Sequence, residues 1–306
     1  MRQPIDFVVP MVFPDDKRWQ EDFARWHTND DATTHARWRS WGAEELMVRC
    51  VQKFMPWLRT IYIILARESQ VQGWMNEMVK GSRFVVEGDG PEVRVVFHEE
   101  FIPKEYLPCF TSPTIEMFLH RIPGLADQFI YANDDMFVLA PLADTDFFRD
   151  GRPCQILFEK TFPENPNVFQ RKCRRQQALV AEKFGFHLDN RWLKNGHCFA
   201  PILKSSCEAV WREWEAQIAA GISPSFRTEF SYNHYLYVLW QHFTGNYVCH
   251  PLPRDYAGKR MPTAELREAI LSAKGLLCIN DNANEHDWRQ RAEIAKTAIE
   301  EILNRS

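Results

Sequence analysis

The chain has 306 residues, 45% hydrophobic and 25% charged, the balance of a globular protein able to bury its own core and not of a disordered or fibrous one. A formal net charge of −4 supplies no general basic field, which excludes nucleic acid as the main partner and makes any phosphate site a local one. The eight cysteines, at 50, 109, 154, 173, 198, 207, 249 and 278, form no CxxC pair and no close zinc-type cluster, and read as reduced thiols.

In chain order, the first element is a strand over Ile5–Val9. No signal-peptide layout is visible there, and nowhere do about eighteen apolar residues run uninterrupted. The expectation is a cytoplasmic, non-spanning protein, with peripheral contact at the inner face of the cell membrane left open. Glu44–Phe54 places Leu46, Val48, Val51 and Phe54 on one helical face. Strands follow at Thr60–Ala66 and Val93–His98, then a helix over Thr114–His120 introduced by Ser112 and Pro113, then strands at Phe129–Tyr131 and Gln155–Phe158. The second half is more helical, with periodic stretches at Gln170–Phe184, Ser205–Ala220, Glu229–His242 and Asp287–Leu303. Gly and Pro clusters at 88–91, 163–166 and 251–258 mark loops and not a linker. The alternation predicts an α/β fold with a central, mostly parallel sheet flanked by helices. It predicts one domain over 1–306, its α/β core built from 1–150 and 270–306 and a more helical annex over 151–269.

Two strand ends carry polar groups suited to chemistry. Ile130-Tyr131-Ala132 ends in Asn133, Asp134 and Asp135, and ligands of open α/β sheets lie beyond the carboxyl ends of the strands, where carboxylates can hold a hard cation against a diphosphate. The same residues also suit a polar turn that caps the next element. Leu276-Leu277-Cys278-Ile279 repeats the theme, ending in Asn280-Asp281-Asn282. His197, between Gly196 and an apolar run, suits a general base on an acceptor hydroxyl or a structural imidazole. Arg227, at a helix start, suits a phosphate partner or a surface ion pair with Glu229. The basic run Arg171, Lys172, Arg174 and Arg175 suits an anionic acceptor, lipid headgroups or a solvated face, and the eleven tryptophans suit core packing better than sugar stacking.

Taken together these motifs resemble the Stealth family of polysaccharide phosphotransferases. The match is longest from Ala43-Glu44-Glu45-Leu46 through Pro56-Trp57-Leu58-Arg59-Thr60, then Leu107 to Glu116, His120-Arg121-Ile122-Pro123-Gly124-Leu125 and Phe129 to Phe137. His197 with Pro201, Arg227 with Glu229, and Leu277 to Asn282 follow the later blocks. The first block departs from the family pattern: its usual Thr-Trp-Val-Asp-Gly continuation reads Pro10-Met11-Val12-Phe13-Pro14, so an expected acidic group is absent or displaced to Asp15 or Asp16. The resemblance implies a GT-A-like nucleotide-sugar fold, Mg²⁺ or Mn²⁺, a nucleotide-sugar donor of UDP type, and an oligo- or polysaccharide acceptor. It implies catalytic roles for Asp135, His197 and Arg227, and substrate contacts from Asn133, Asp134, Glu45, Arg121 and Glu229. It also implies metal binding at Asp135, Asn280 and Asp281. Glycosyl transfer with release of the nucleoside diphosphate, or sugar-nucleotide binding without turnover, would use the same residues. Hexose, acceptor and oligomeric state are not legible.

Overall fold

A computed structural model describes residues 3–26, 39–79, 90–222, 230–257, 261–280 and 287–305. Its strands are β1 (Ile5–Pro10), β2 (Thr60–Leu65), β3 (Glu92–Phe97), β4 (Gln128–Tyr131), β5 (Met136–Val138), β6 (Phe148–Arg149), β7 (Arg152–Gln155), β8 (Leu157–Thr161), β9 (Arg191–Asn195), β10 (Ala200–Leu203), β11 (Val248–Cys249), β12 (Arg254–Ala257) and β13 (Leu276–Ile279). Its helices are α1 (Lys17–Trp26), α2 (Glu44–Phe54), α3 (Gly73–Val79), α4 (Ser112–Phe118), α5 (Asp144–Phe147), α6 (Val168–Phe184), α7 (Lys204–Gly221), α8 (Tyr235–Phe243), α9 (Thr263–Ser272) and α10 (Trp288–Asn304).

The central sheet has the order β10-β4-β1-β2-β3. β1 runs parallel to both β2 and β4, β2 runs parallel to β3, and β10 closes the edge antiparallel to β4. Side chains alternate between the faces of a strand, so each of these apolar strands feeds two cores at once. Phe7, Val9, Ile61, Ile63 and Ile130 pack with α2, α9 and α10 on one face. Val8, Tyr62, Ile64, Phe129 and Tyr131 pack with α4, α6, α7 and α8 on the other. This mixed α/β architecture, a mostly parallel sheet flanked by helices, is consistent with the GT-A-like fold.

A second sheet, β12-β13-β5, abuts the first. β5 leaves β4 through the turn at 132–135 and pairs antiparallel to β13, with Cys278 opposite Met136. Opposite the carboxyl ends of the parallel strands, the wholly buried Asp6 accepts from Arg59 Nε at 2.8 Å and from the Ala126 amide at 2.7 Å. Arg59 Nη2 pairs with the same carboxylate and also reaches the Gly124 carbonyl at 2.7 Å. This clamp ties β1 to the start of β2 and to the approach to β4. No helix among the described residues is long and apolar enough to cross a membrane.

The expected strand at Gln155–Phe158 is in fact the meeting of two: β7 ends at Gln155 and pairs with β6 and β11, whereas β8 begins at Leu157 and pairs with β9. A continuous run of residue types conceals a change of partner. The helix expected over Glu229–His242 begins at Tyr235, and Glu229 itself lies outside the described residues. α4 begins two residues before the expected Thr114, with Pro113 in its first turn, and passes into a 3₁₀ turn over Leu119–Arg121.

Candidate active site

Asp135 stands at the joint between the two sheets, and three segments far apart in sequence converge on it. From β4, the Ala132 amide still donates to Val8 O at 3.0 Å. The chain then turns, with Met136 N donating to Asn133 O at 3.2 Å, and this presents Asn133, Asp134 and Asp135 beyond the strand end. From β13, the Ile279 amide donates to Asp135 O at 2.8 Å. Cys278 and Asn280, two residues apart and so on one side of an extended segment, both reach the Asp135 carboxylate. Asn280 Nδ2 donates to Oδ2 at 3.1 Å and Cys278 Sγ at 3.4 Å. The third segment is the turn before β10. Because β10 is antiparallel to β4, with Ala200 opposite Tyr131, its amino end lies at the carboxyl end of β4, and His197 Nε2 arrives 3.3 Å from Asp135 Oδ2.

Burial alone would raise the Asp135 pKa, but hydrogen bonds and charge from His197, then the bonds from Asn280 and Cys278, outweigh it and hold the carboxyl below its ordinary range. Asp134 is exposed at the turn, yet the protein massed behind it, followed by the charges of Asp135 and Glu44, pushes its carboxyl up to about 7. Burial, reinforced by Asp135, pushes the Cys278 thiol far up, so it stands as a protonated donor. Asp135 Oδ1 and Asn280 Oδ1 are buried with no hydrogen-bond partner among the described residues. Two shielded oxygens with unfilled lone pairs are what a hard divalent cation seeks. One ligand atom each from Asp135, His197 and Cys278 lies within 4.8 Å of the others. Oxygen donors next to an imidazole fit a divalent cation, Mn²⁺ as well as Mg²⁺.

The structure thus brings together Asn133, Asp134, Asp135, His197 and Asn280. Arg227, Glu229 and Asp281 lie outside the described residues. Glu45 is not brought to the cluster: it faces Arg49 one helical turn away, at 3.9 Å on α2. Its neighbour Glu44, buried and accepting from Ser40 Oγ at 2.6 Å, is the carboxylate whose charge reaches Asp134. Arg121 is at the opposite end of the sheet, its guanidinium 5.1 Å from the ring centres of Phe118 and Trp211. Asp16, a candidate for the displaced acidic group, accepts from the Arg18 amide at 3.1 Å and from Ser69 Oγ at 2.8 Å, a local role at the start of α1.

Beneath the site lies a buried pair that the residue types did not announce. Glu116 Oε2 accepts from the His234 amide at 3.0 Å and lies 2.5 Å from His234 Nδ1. The Tyr131 hydroxyl bridges Glu116 Oε1 at 3.0 Å and Asn133 Oδ1 at 2.7 Å. Burial pushes the Glu116 carboxyl up, but His234 and then Lys172 more than offset this and bring it to about 2. A glutamate on the buried face of a short helix was the available signal; that it meets His234, 118 residues later, is a fact of the fold. The basic run on α6 is not a plain solvated face. Arg174 donates to the carbonyls of Asp189 and Leu188, Arg175 stacks 4.9 Å from the Phe230 ring, and Lys172 is buried.

Residues 37–155 match the model of Stealth protein conserved region 2, a span that holds Glu44, Glu116 and the Asn133–Asp135 turn. The chain is 32% identical over 241 residues to the capsular polysaccharide phosphotransferase LcbA of Aeromonas hydrophila, covering 74% of this chain and 61% of that protein. Receptor polysaccharide phosphotransferase WefC of Streptococcus gordonii is 26% identical over 338 residues, with 99% and 98% covered. Capsular polysaccharide phosphotransferase cps1A of Actinobacillus pleuropneumoniae is 30% identical over 237 residues, with 73% and 61% covered. The chain therefore spans about three fifths of the Aeromonas and Actinobacillus proteins and nearly all of the Streptococcus one. With the conserved region in place and relatives of one kind along its length, this chain belongs to the Stealth family.

Proposed function

We propose that the chain transfers a hexose 1-phosphate from a nucleotide-sugar donor, UDP-linked by preference, to a hydroxyl of a growing capsular or exopolysaccharide. The observation that carries this reading is the convergence of His197 and Asn280 on Asp135, with two buried oxygens unpartnered among the described residues, at the carboxyl end of a parallel sheet. In the reaction, the acceptor oxygen forms a bond to the sugar-bearing phosphorus while the bond from that phosphorus to the bridging oxygen breaks. The nucleoside monophosphate leaves with the electron pair, and the acceptor proton passes to a base.

His197 is the base this geometry favours. Its imidazole is 42% exposed at the mouth of the site and is oriented through Nε2 by the Asp135 carboxylate. Asp135 thereby both fixes the ring and stabilises the imidazolium as the proton arrives. Asn133, tethered through Tyr131 to the Glu116–His234 pair, offers a fixed amide to the donor, and the adjoining Asp134 is exposed beside it. Mg²⁺ or Mn²⁺, held by Asp135 and Asn280 with Asp281 as the expected third residue, would offset the negative charge of the diphosphate. Such a site needs no covalent nucleophile, because positioning and charge stabilisation supply most of the acceleration in phosphoryl transfer.

The test is the identity of the released nucleotide when the protein is incubated with Mg²⁺ or Mn²⁺, a panel of UDP-, GDP- and CDP-linked sugars and mixed oligosaccharide acceptors. The expected product is the monophosphate. Release of the diphosphate would mean glycosyl transfer, and donor binding without release would mean a sugar-nucleotide binding protein; either overturns the proposal.

A further inference from the structure

The turn that carries His197 leads from β9, which pairs with β8 in a two-stranded sheet of their own, to β10. A two-stranded sheet by itself is a weak platform for a residue that must be held within a fraction of an ångström. What steadies it comes from the other sheet. Arg254 opens β12, opposite Leu276 of β13, and extends its side chain to the turn. Its Nη1 lies 3.3 Å from Cys198 Sγ, and its guanidinium carbon lies 5.0 Å from the ring centre of Phe158 on β8.

Gly196 shows how close the approach is. A β-carbon built on it would fall inside the Arg254 guanidinium, against Nη1, Cζ and Nη2 together. Its φ lies outside the positive range, so what glycine supplies here is room for the guanidinium and not backbone freedom. The guanidinium fills the volume that a side chain at 196 would take, next to the residues on both sides of His197.

We propose that Arg254 is a positioning residue: its flat guanidinium is the seat on which the Gly196–Cys198 turn rests, and it keeps His197 against Asp135. The kinetic part of this inference rests on the catalytic reading of His197; the contact itself does not. Arg254 meets no carboxylate among the described residues, so the competing role for its charge is a direct contact to a substrate phosphate. Lysine separates the two roles, since it keeps the charge and loses the plane.

The experiment has two arms. Arg254→Ala is expected to lower kcat about 10- to 100-fold with the donor KM within about twofold, and Arg254→Lys to do nearly the same. Recovery of kcat by Arg254→Lys, or a loss that falls on donor KM, would overturn the seat in favour of a phosphate contact. The second arm needs no activity: urea unfolding of wild type, Gly196→Ala, Arg254→Ala and the double variant. Gly196→Ala is expected to weaken the folding equilibrium about three- to tenfold more in the wild-type background than in Arg254→Ala, because removing the guanidinium makes room for the methyl group. Additive effects would overturn the contact. A wild-type protein that transfers nothing would overturn the proposed function instead, and the unfolding cycle would still decide whether the seat exists.

Discussion

At the scale of single residues the site depends on one carboxylate that serves several partners. Asp135→Asn keeps the size and the fold but removes the charge that His197 and Asn280 converge on. We expect turnover to fall about 100-fold or more, with the thermal midpoint shifted by no more than a few degrees. A donor assay alongside a melting curve checks this, and near wild-type turnover would remove Asp135 from the mechanism. Glu116 gives a pH signature. Its carboxyl sits at about 2 in the fold against an ordinary 4.5, so the unfolded chain takes up the proton first as pH falls. The pair's contribution is complete above about 4.5 and fades as pH drops toward about 2. Glu116→Gln is expected to lower stability by about 1–3 kcal/mol at neutral pH and to flatten that acid limb, read from urea midpoints between the two regimes. An unchanged limb would mean that other carboxylates carry it. Asn133, Asp134, Asp135 and Asn280 were legible as candidates because they follow apolar runs, and His197 because it precedes one. Glu44, Cys278 and His234 were not, because nothing in a residue's own neighbourhood states which distant segment it will face.

At the scale of elements, the four parallel strands of the central sheet were the most legible part, since β1 and β2 are short apolar runs buried on both faces, whereas its antiparallel edge strand β10 was not expected. The helix α2 also has the expected bounds, because its apolar positions recur at helical spacing. Where legibility failed, local pattern and partner choice diverged, as at Ile156 between β7 and β8, or at α8, whose start is displaced to Tyr235. The helix α6 shows a signal that can be tested. Asn167 Oδ1 accepts from Gln170 N at 2.9 Å, and Gln170 Oε1 accepts from Asn167 N at 2.9 Å, a reciprocal cap. Asn167→Ala is expected to cost about 1 kcal/mol in urea unfolding while leaving kcat unchanged, since the cap touches no group of the site. A loss of kcat would tie the start of α6 to the acceptor.

At the scale of the whole molecule the sheet has a structural end and a chemical end. The Asp6–Arg59 clamp lies at the first, and Asp6→Asn should therefore cost about 1–3 kcal/mol without altering turnover per folded molecule, because Arg59 is partly solvated and the active groups are at the other end. Activity lost out of proportion to folded protein would show that the two ends are coupled. The chemical end was foreseeable as a location, beyond the carboxyl ends of parallel strands. Its completeness was not, because the partners of Asp135 arrive 62 and 145 residues later. That separation has a consequence for synthesis. On the ribosome, Asp135 emerges long before His197 and longer still before β13, so a nascent chain can form much of its parallel sheet while it has no working centre. On the proposed reading the centre is complete only once β13 has docked, so turnover would report directly that the last of the described strands has found its place.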